Sequence, residues 1–415
     1  MTSRCQRRCY HHAGHLTSSI CTLTLLVLWF GGNAASAQDQ PPPPTLQPAS
    51  WHVALDGVLF ATFDRQGGQR GDTALTSQNW LMAAAARPVK TGTLTLTAML
   101  SAEPLTIGAA GYPQLFQEGE TYRHLQITDR QHPHDLFMQL SAAWRQPIGA
   151  RTAVSLSGGP VGEAALGPLA FMHRPSASEN PSAPLTHHIF DSTHIVDGVV
   201  TMGADRGPLA IEASFFRGRE PDEHRYDLEF GALDSWSARL WFRPTPAWSI
   251  QLSHGVLHEP EALEPGDQRR TNASVSWLRQ SDESHLTAVT GAVGRTVRTF
   301  STLRGVLLEA THRAGRTSFY GRYEDRTVET EILLFPQIVH VPHPGELVDP
   351  IQALTIGMVQ DFAEWRGFRL GGGGDIVLHR VPELLEFTHG ANVRSGHVFV
   401  RVRPASRSSA HAHHD

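Results

Sequence analysis

The chain is poor in cysteine and lysine, and beyond its N-terminal region it has no long apolar run. Cys5, Cys9 and Cys21 all lie near the start, so the rest of the chain has no disulfide and no thiolate chemistry. Lys90 is the only lysine, so nearly all positive charge is carried by arginine. From Trp51 onward no stretch approaches the roughly 20 apolar residues that a transmembrane helix needs. Hydrogen bonding and burial must therefore hold the fold together.

The N-terminal region has the pattern of a secretory signal peptide. Three arginines precede the apolar run 20–30, and the small residues Ala35, Ser36 and Ala37 follow it. We therefore predict that residues 1–37 are a signal peptide. Residues 38–50 are rich in proline and are expected to be an extended lead-in.

The charge balance argues against nucleic acid as a partner. The whole chain carries 35 basic against 40 acidic residues, and removal of residues 1–37 takes away three arginines and no acid. The remaining 32 basic residues are outnumbered by 40 acidic ones. A nucleic-acid-binding protein needs a concentrated basic surface, which this composition does not provide.

Apolar and polar residues alternate with a period of two throughout the region from Trp51 to Pro404, which predicts β-strands. In one such segment Trp248, Ile250 and Leu252 alternate with polar neighbours. The predicted strands lie near residues 51–64, 77–87, 92–102, 135–145, 152–160, 194–205, 208–218, 234–243, 247–258, 268–279, 285–294, 301–313, 317–329, 351–362, 368–380 and 393–403.

The connections between these strands alternate between short turns and mostly longer loops. That alternation is typical of a transmembrane antiparallel up-and-down β-barrel, with short periplasmic turns and long extracellular loops. We predict an all-β barrel of about 16 strands over residues 51–404, followed by a His-rich, disordered tail over residues 405–415. A soluble secreted sandwich or propeller is the alternative, because alternation alone does not distinguish the inside from the outside.

The strand patterns separate an apolar face from a charged one. In 234–243 the apolar set is predicted to face lipid while Arg239 and Arg243 face inward, and 317–329 and 368–380 repeat this arrangement. In 135–145 the predicted lipid-facing residues include Met138. An aromatic girdle is predicted from the tryptophans near strand ends, namely Trp51, Trp80, Trp144, Trp236, Trp248 and Trp365.

With these features the chain resembles Gram-negative outer-membrane barrels of the general porin type. The resemblance covers residues 51–404 and is one of architecture, without a diagnostic motif. It implies a cell outer-membrane location, contact with outer-membrane lipid, insertion by the barrel-assembly machinery and a homotrimer. The chain departs from such barrels in ending Ser408 to Asp415 rather than on an aromatic residue, so Phe399 would have to serve as the assembly signal.

A barrel of about 16 strands is wide enough to hold an aqueous channel. The predicted pore-lining residues are charged residues on the inner face: Arg145, Asp197, Asp205, Glu212, Arg239, Arg243, Arg322, Glu324, Arg369, Asp375, Arg401 and Arg403. Such residues select solutes by charge and size. The alternative is that they only pair with one another and contribute little to selectivity.

Histidines and carboxylates concentrate between Asp129 and His194. The candidate metal ligands are His132, His134, Asp135, His187, His188, Asp191 and His194. Imidazole with carboxylate suits Zn²⁺, Cu²⁺ or Ni²⁺, so Zn or Cu is a possible cofactor although no established metal motif is matched. Alternatively, these side chains tie the loops together or sense pH. The segments 129–135 and 187–194 flank one hairpin at the same outward mouth of the predicted barrel, so they can meet in space. We therefore interpret this region first as a constriction of the pore and second as a metal site.

The sequence favours a channel for passive diffusion of small polar or charged solutes. The alternatives are a barrel whose His-rich loops bind or sense a transition metal, and a structural or adhesive surface barrel with a closed lumen. An enzyme is not predicted, because Ser192, His194 and Asp191 are too close in sequence for a triad assembled from separate segments.

Overall fold

The computed structural model describes residues 50–405, and the predicted signal peptide, residues 38–49 of the lead-in and residues 406–415 of the tail lie outside the described part. The strands are β1 (His52–Arg65), β2 (Thr73–Thr76), β3 (Asn79–Val89), β4 (Gly92–Leu100), β5 (Tyr112–Tyr122), β6 (Leu125–Gln131), β7 (Phe137–Gly149), β8 (Thr152–Gly162), β9 (Val196–Arg206), β10 (Leu209–Phe216), β11 (Ser235–Thr245), β12 (Trp248–Leu257), β13 (Gln268–Asp282), β14 (His285–Val297), β15 (Thr302–Ala314), β16 (Thr317–Glu329), β17 (Val348–Trp365), β18 (Phe368–Arg380) and β19 (Arg394–Pro404).

Short helices occur only in the connections of this described region. They are α1 (Glu103–Thr106), α2 (His187–Phe190), α3 (Thr330–Leu334) and α4 (Glu383–His389). Within residues 50–405, no helix has the length and apolar character to cross a membrane.

All strands except β5 and β6 form one antiparallel sheet that closes on itself. Strand β1 pairs with β19 from Leu59 opposite Val402 to Arg65 opposite Gly396, which joins the first strand to the last. Strands β2 and β3 both pair with β1 and are two parts of one barrel strand. The result is a closed up-and-down barrel of 16 strands, which confirms the predicted fold class and excludes the sandwich and propeller alternatives.

The connections confirm the predicted alternation. Seven turns contain two residues each: 90–91, 150–151, 207–208, 246–247, 283–284, 315–316 and 366–367. Arg366 and Gly367 both have positive φ, as the tightest hairpins require. The long connections span 66–72, 101–136, 163–195, 217–234, 258–267, 298–301, 330–347 and 381–393, and they all lie at the opposite end of the barrel.

The outer face of the barrel is apolar. Exposed side chains occur at alternate positions around the wall, among them Leu59, Leu81, Leu96, Leu156, Met202, Ile211, Leu240, Leu252, Val275, Val293, Leu308, Phe319, Ile356, Ile376 and Val400. In β16, Phe319 is 54% exposed while Arg326 on the other face is 1% exposed. An apolar belt of this kind faces hydrocarbon in membrane barrels.

Two predicted lipid-facing residues point inward instead. Trp80 is buried on the inner face, out of phase with exposed Leu81, so it is not part of the outer girdle. Met138 is also buried inside the barrel, because the pairing of β4 with β7 shifts at Leu100 and a bulge reverses the faces there. Both side chains pack in an inner apolar cluster with Met172.

Candidate functional site

Residues 163–195, which connect β8 and β9, fold into the barrel, and we call them the inward loop. Not one residue of this loop is exposed. Hydrogen bonds tie it to the inner faces of four strands: Ala165 N to Ser214 Oγ of β10 (2.8 Å), Gly167 N to Ser253 Oγ of β12 (2.8 Å), Thr186 Oγ1 to Glu324 of β16 (2.8 Å) and Ser182 Oγ to His397 of β19 (3.3 Å). The loop therefore crosses the lumen.

Glu179 anchors the tip of the inward loop. Its carboxylate is fully buried and contacts three guanidinium groups of the wall, those of Arg313, Arg401 and Arg403. Asp361 of β17 shares Arg401 and Arg403 with it. A buried charge is tolerated only when it is paired, so this network fixes the loop against the wall formed by β15, β17 and β19.

A second buried ion pair holds the base of the loop. Arg174 donates to Glu309 of β15 at 2.6 Å and to Asp191 within the loop at 2.6 Å. Asp191 also accepts a hydrogen bond from His187 at 2.7 Å. Arg174 thereby connects the barrel wall to the histidine-containing end of the loop.

Helix α2 packs closely against the wall because glycine lies beneath it. A Cβ at Gly294 of β14 would lie 2.7 Å from Cε1 of Phe190. Ile189 and Phe190 fill this surface together with Leu303 and Leu307 of β15. Apolar packing therefore sets the position of the helix that carries His187 and His188.

Strands β5 and β6 form a hairpin within connection 101–136, and we call residues 112–131 the loop-2 hairpin. It was not predicted from the sequence. Gln114 donates to the carbonyl of Ala183 at 2.7 Å, so the hairpin packs on the inward loop. Arg326 of β16 donates to Gln117 and to Glu118, each at 2.6 Å, so the hairpin is also tied to the inner wall.

The inner wall near the short turns between β7 and β11 differs in being accessible to water. Arg145 of β7 and Asp205 of β9 pair at 2.9 Å, and their side chains remain 40% and 28% exposed. Arg239 of β11 pairs with Glu212 at 2.8 Å and with Glu163 at 2.9 Å, and both carboxylates are about a quarter exposed. Charges of both signs therefore line this part of the interior.

All the predicted pore-lining residues lie on the face opposite the exposed apolar side chains. They fall into three groups. Arg145, Asp205, Glu212 and Arg243 lie on the water-accessible part, whereas Arg322, Glu324, Asp375, Arg401 and Arg403 are buried, mostly in contact with the inward loop or with neighbouring strands. The remaining three, Asp197, Arg239 and Arg369, make ion pairs with Arg217, Glu212 and Glu364.

The structure brings the two His-rich segments together in one cavity. His132 and His134 line it from the end of connection 101–136, and His187, His188 and His194 line it from the inward loop. The ring centres of His187 lie 5.2 Å from His188 and 5.1 Å from His194, and His132 lies 5.3 Å from His188. The two segments flank the β7–β8 hairpin in sequence, and the long connections that carry them lie at the same end of the barrel.

Acidic groups around the cavity are held ionised. Burial alone would raise the pKa of Glu120, but Arg225 and His132 beside it lower that pKa to about 2. Burial would likewise raise the pKa of Asp191, and Arg174 and His187 lower it to about 2. These two carboxylates are therefore fixed negative charges and hydrogen-bond acceptors at neutral pH.

Two rings of the cavity, those of His188 and His194, are held neutral. Burial, followed by repulsion from His187, keeps the pKa values of His188 and His194 well below their ordinary range. His134 behaves differently, because Glu103 at 3.0 Å outweighs burial and raises its pKa.

Several residues of the cavity were not identified from the sequence. Glu120 and Arg225 line the cavity, and Glu103 contacts His134 from outside its lining. They lie in three different stretches of the long connections, and nothing in their local sequence distinguishes them from solvated charges. Asp135 was a candidate ligand, but it accepts a hydrogen bond from Arg225 at 3.1 Å. Ser192 contacts Arg270 of β13 rather than His194, so the neighbouring serine, histidine and aspartate do not form a triad.

A separate group of three carboxylates lies among the long loops. One carboxylate oxygen from each of Glu264, Glu329 and Glu346 lies within 4.8 Å of the other two. Among residues 50–405, no other three potential metal ligands lie this close together. Burial, together with Glu329, raises the pKa of Glu264 to about 8. Glu264 is therefore protonated at neutral pH, which removes one of the three negative charges.

The chain is similar to solved structures of outer-membrane proteins. OprB of Pseudomonas putida superposes with a TM-score of 0.52 at 8% identity, over 85% of this chain and 94% of that one. The fold is that of the outer-membrane porins. Salmonella typhi OmpF, solved with daunomycin, gives a TM-score of 0.47 at 10% identity over 85% of this chain and 97% of that one. No protein-family model and no curated protein sequence matches the chain.

The closed barrel and its apolar belt confirm the expected location. A barrel with exposed apolar residues on every side is stable only with that surface in lipid. The protein is an outer-membrane β-barrel of porin-like architecture.

Proposed function

We propose that the protein is a channel for passive diffusion of small polar or charged solutes across the outer membrane. The observation that carries this proposal is the water-accessible ion pair of Arg145 and Asp205 on the inner wall of a 16-strand barrel. A barrel of this size has room for an aqueous path beside a folded loop. Charges of both signs along such a path attract hydrated solutes and discriminate among them.

The path that we propose runs beside β7–β11. On the opposite side the inward loop covers the wall, and its Glu179 occupies the guanidinium groups of β15 and β19. Arg145 and Asp205 lie next to the turns at 150–151 and 207–208, at the periplasmic end of this path. The inward loop then acts as the constriction.

A closed structural barrel is the second candidate, and the burial of the inward loop is what favours it. Every residue of 163–195 is buried or half-buried. Met172 packs against Trp80 on one side of the lumen, while Glu179 contacts Arg403. If the gap beside β7–β11 does not extend through the barrel, the lumen is closed.

Porin-like architecture also supports the proposed partners. We expect the apolar belt to contact outer-membrane lipid and the barrel-assembly machinery to insert the chain. A homotrimer and a non-enzymatic role are part of the same proposal. The mass of the detergent-solubilised particle, measured by light scattering, tests the trimer.

Ion selectivity tests the proposed path. In planar bilayers under a salt gradient, replacing Arg145 by Gln should shift the reversal potential towards cation preference, and Asp205→Asn should shift it towards anion preference. Arg219 is exposed in connection 217–234, so Arg219→Gln is the matched control and should leave the potential unchanged. Equal reversal potentials for all four proteins would refute a path beside Arg145.

A further inference from the structure

Four of the five histidines of the cavity are positioned by their Nδ1 atoms, the exception being His188. His194 Nδ1 lies 2.7 Å from the carbonyl oxygen of Asp191. Because a carbonyl only accepts, this ring donates from Nδ1, and its Nε2 carries the lone pair when the ring is neutral. The same atom points at a carboxylate oxygen in His132 (Glu120, 3.0 Å), His134 (Glu103, 3.0 Å) and His187 (Asp191, 2.7 Å).

The second ring nitrogen, Nε2, is the atom that these contacts do not use. Nε2 of His132, His188 and His194 is buried and has no hydrogen-bond partner among residues 50–405. Histidines that only tie loops together would use both nitrogens, because a buried polar atom without a partner costs free energy. Three such atoms around one cavity indicate that a group outside the protein satisfies them.

We propose that His132, His187, His188 and His194 bind a divalent first-row transition metal ion through Nε2. For His132, His187 and His194 this arrangement reproduces what metal-binding histidines need, a second nitrogen that donates to a carboxylate or carbonyl and so orients the ring. With metal–nitrogen distances of about 2.1 Å, imidazoles that share an ion hold their ring centres roughly 5 Å apart. Three of the ring pairs already have that spacing, at 5.1, 5.2 and 5.3 Å.

The donor set selects the class of ion. Neutral imidazoles suit Zn²⁺, Cu²⁺, Ni²⁺ and Co²⁺, whereas Ca²⁺ and Mg²⁺ prefer oxygen ligands. Asp135 is paired with Arg225, and Asp191 with Arg174, so both belong to the surroundings of the site rather than to its ligands. Glu120 and Asp191 then supply negative charge next to the ion through the rings that they hold.

Binding would also lock two segments together. Three nitrogens of this set do not lie within 4.8 Å of one another, since among residues 50–405 only the Glu264 group does. Residues 132–134 must therefore move closer to residues 187–194 of the inward loop for the Nε2 atoms to converge on an ion. The Nδ1 contacts keep the rings oriented while the two segments approach.

Cobalt binding tests the site in the full chain. The C-terminal His411, His413 and His414 would bind metal themselves, so the reference protein carries alanine at these three positions. Co²⁺ is titrated into the folded barrel in detergent, its visible absorption recorded and the bound metal counted after equilibrium dialysis. The reference protein should bind one equivalent with the intense visible bands of a low-coordinate histidine site.

His188→Gln and His194→Gln, each made in the reference protein, should weaken Co²⁺ binding at least tenfold and reduce these bands. His258 is exposed and pairs with Asp267, so His258→Gln is the matched control and should bind like the reference. Heat-modifiable migration on a gel verifies that each barrel is folded. The absence of bound Co²⁺ in the reference protein, or binding unchanged in both cavity variants, would overturn the proposal. The conductance of the channel is measured separately, so neither result depends on the other.

Discussion

Glu179 is the residue on which the position of the inward loop most depends. Its buried carboxylate is shared by Arg313, Arg401 and Arg403, and the network continues to Asp361. Removing one partner of a buried ion pair leaves the other charges uncompensated. The loop is therefore held by electrostatic contacts whose loss can be measured.

Glu179→Gln should lower the free energy of unfolding by about 3–5 kcal/mol, because three buried guanidinium groups lose their shared charge. A urea titration followed by the shift between folded and unfolded gel bands measures this difference. The matched variant is Glu259→Gln, since Glu259 is exposed, and its midpoint should stay that of the natural protein. A loss of less than about 1 kcal/mol, the usual value of a surface pair, would contradict a buried anchor.

The raised pKa of Glu264 predicts how the stability of the protein changes with pH. Its pKa is raised by burial and by Glu329 to about 8, against an ordinary value of 4.5. The folded protein then holds a proton that the unfolded chain loses above pH 4.5, so this residue lowers stability as pH rises from 4.5 to 8. The temperature at which the folded gel band is lost should fall less between pH 5 and pH 8 in Glu264→Gln than in the natural protein. Equal falls would show that Glu264 is not protonated in the fold.

Among the elements, the strands were predictable, whereas the contacts of the lumen-filling loops were not, although the region 129–194 was interpreted as a constriction. Alternation such as Trp236, Leu240 and Phe242 outside with Arg239 inside is imposed by lipid on each strand separately, so a short stretch of sequence contains the whole signal. The inward loop has no such periodicity, because its residues are buried by contacts with strands more than a hundred positions away. The bulge that turns Met138 inward is likewise a property of the β4–β7 pair.

The candidate metal site was predictable in part. The density of His132, His134, His187 and His188 could be seen in the sequence, and barrel topology placed both segments at the same mouth. Glu103 and Glu120, which orient two of the rings, come from segments without any local signal. Asp191 was visible as a possible ligand, but only the structure shows that it is an acceptor for His187.

The loop-2 hairpin shapes the cavity through Gly119. This residue has φ +133°, and a Cβ there would lie 2.5 Å from Cε1 of His188. Gly119→Ala should therefore displace the His188 ring and weaken Co²⁺ binding at least threefold in the same titration. Gly108 has φ +83°, and no atom of the described residues 50–405 lies within 4 Å of its Cβ position, so Gly108→Ala carries backbone strain without the contact. If Gly119→Ala and Gly108→Ala weakened Co²⁺ binding equally, backbone strain alone would explain the effect.

As a whole, the molecule is a barrel whose lumen is crossed by the inward loop, from β10 and β12 to β15–β19. The loop-2 hairpin packs on β16, and water-accessible charges line the wall near the short turns between β7 and β11. The apolar belt holds the barrel in lipid. The two-residue turns mark its periplasmic end, and the long loops mark its extracellular end. Diffusion through this molecule depends on whether the accessible side is continuous.

The conductance of single molecules in a planar bilayer tests this account most directly. The natural protein should give a small ohmic current, and Glu179→Gln should give a larger one, because the inward loop is then no longer anchored to Arg313, Arg401 and Arg403. Glu259→Gln should conduct like the natural protein. No current at any voltage from correctly folded natural protein would contradict the channel and favour the closed barrel.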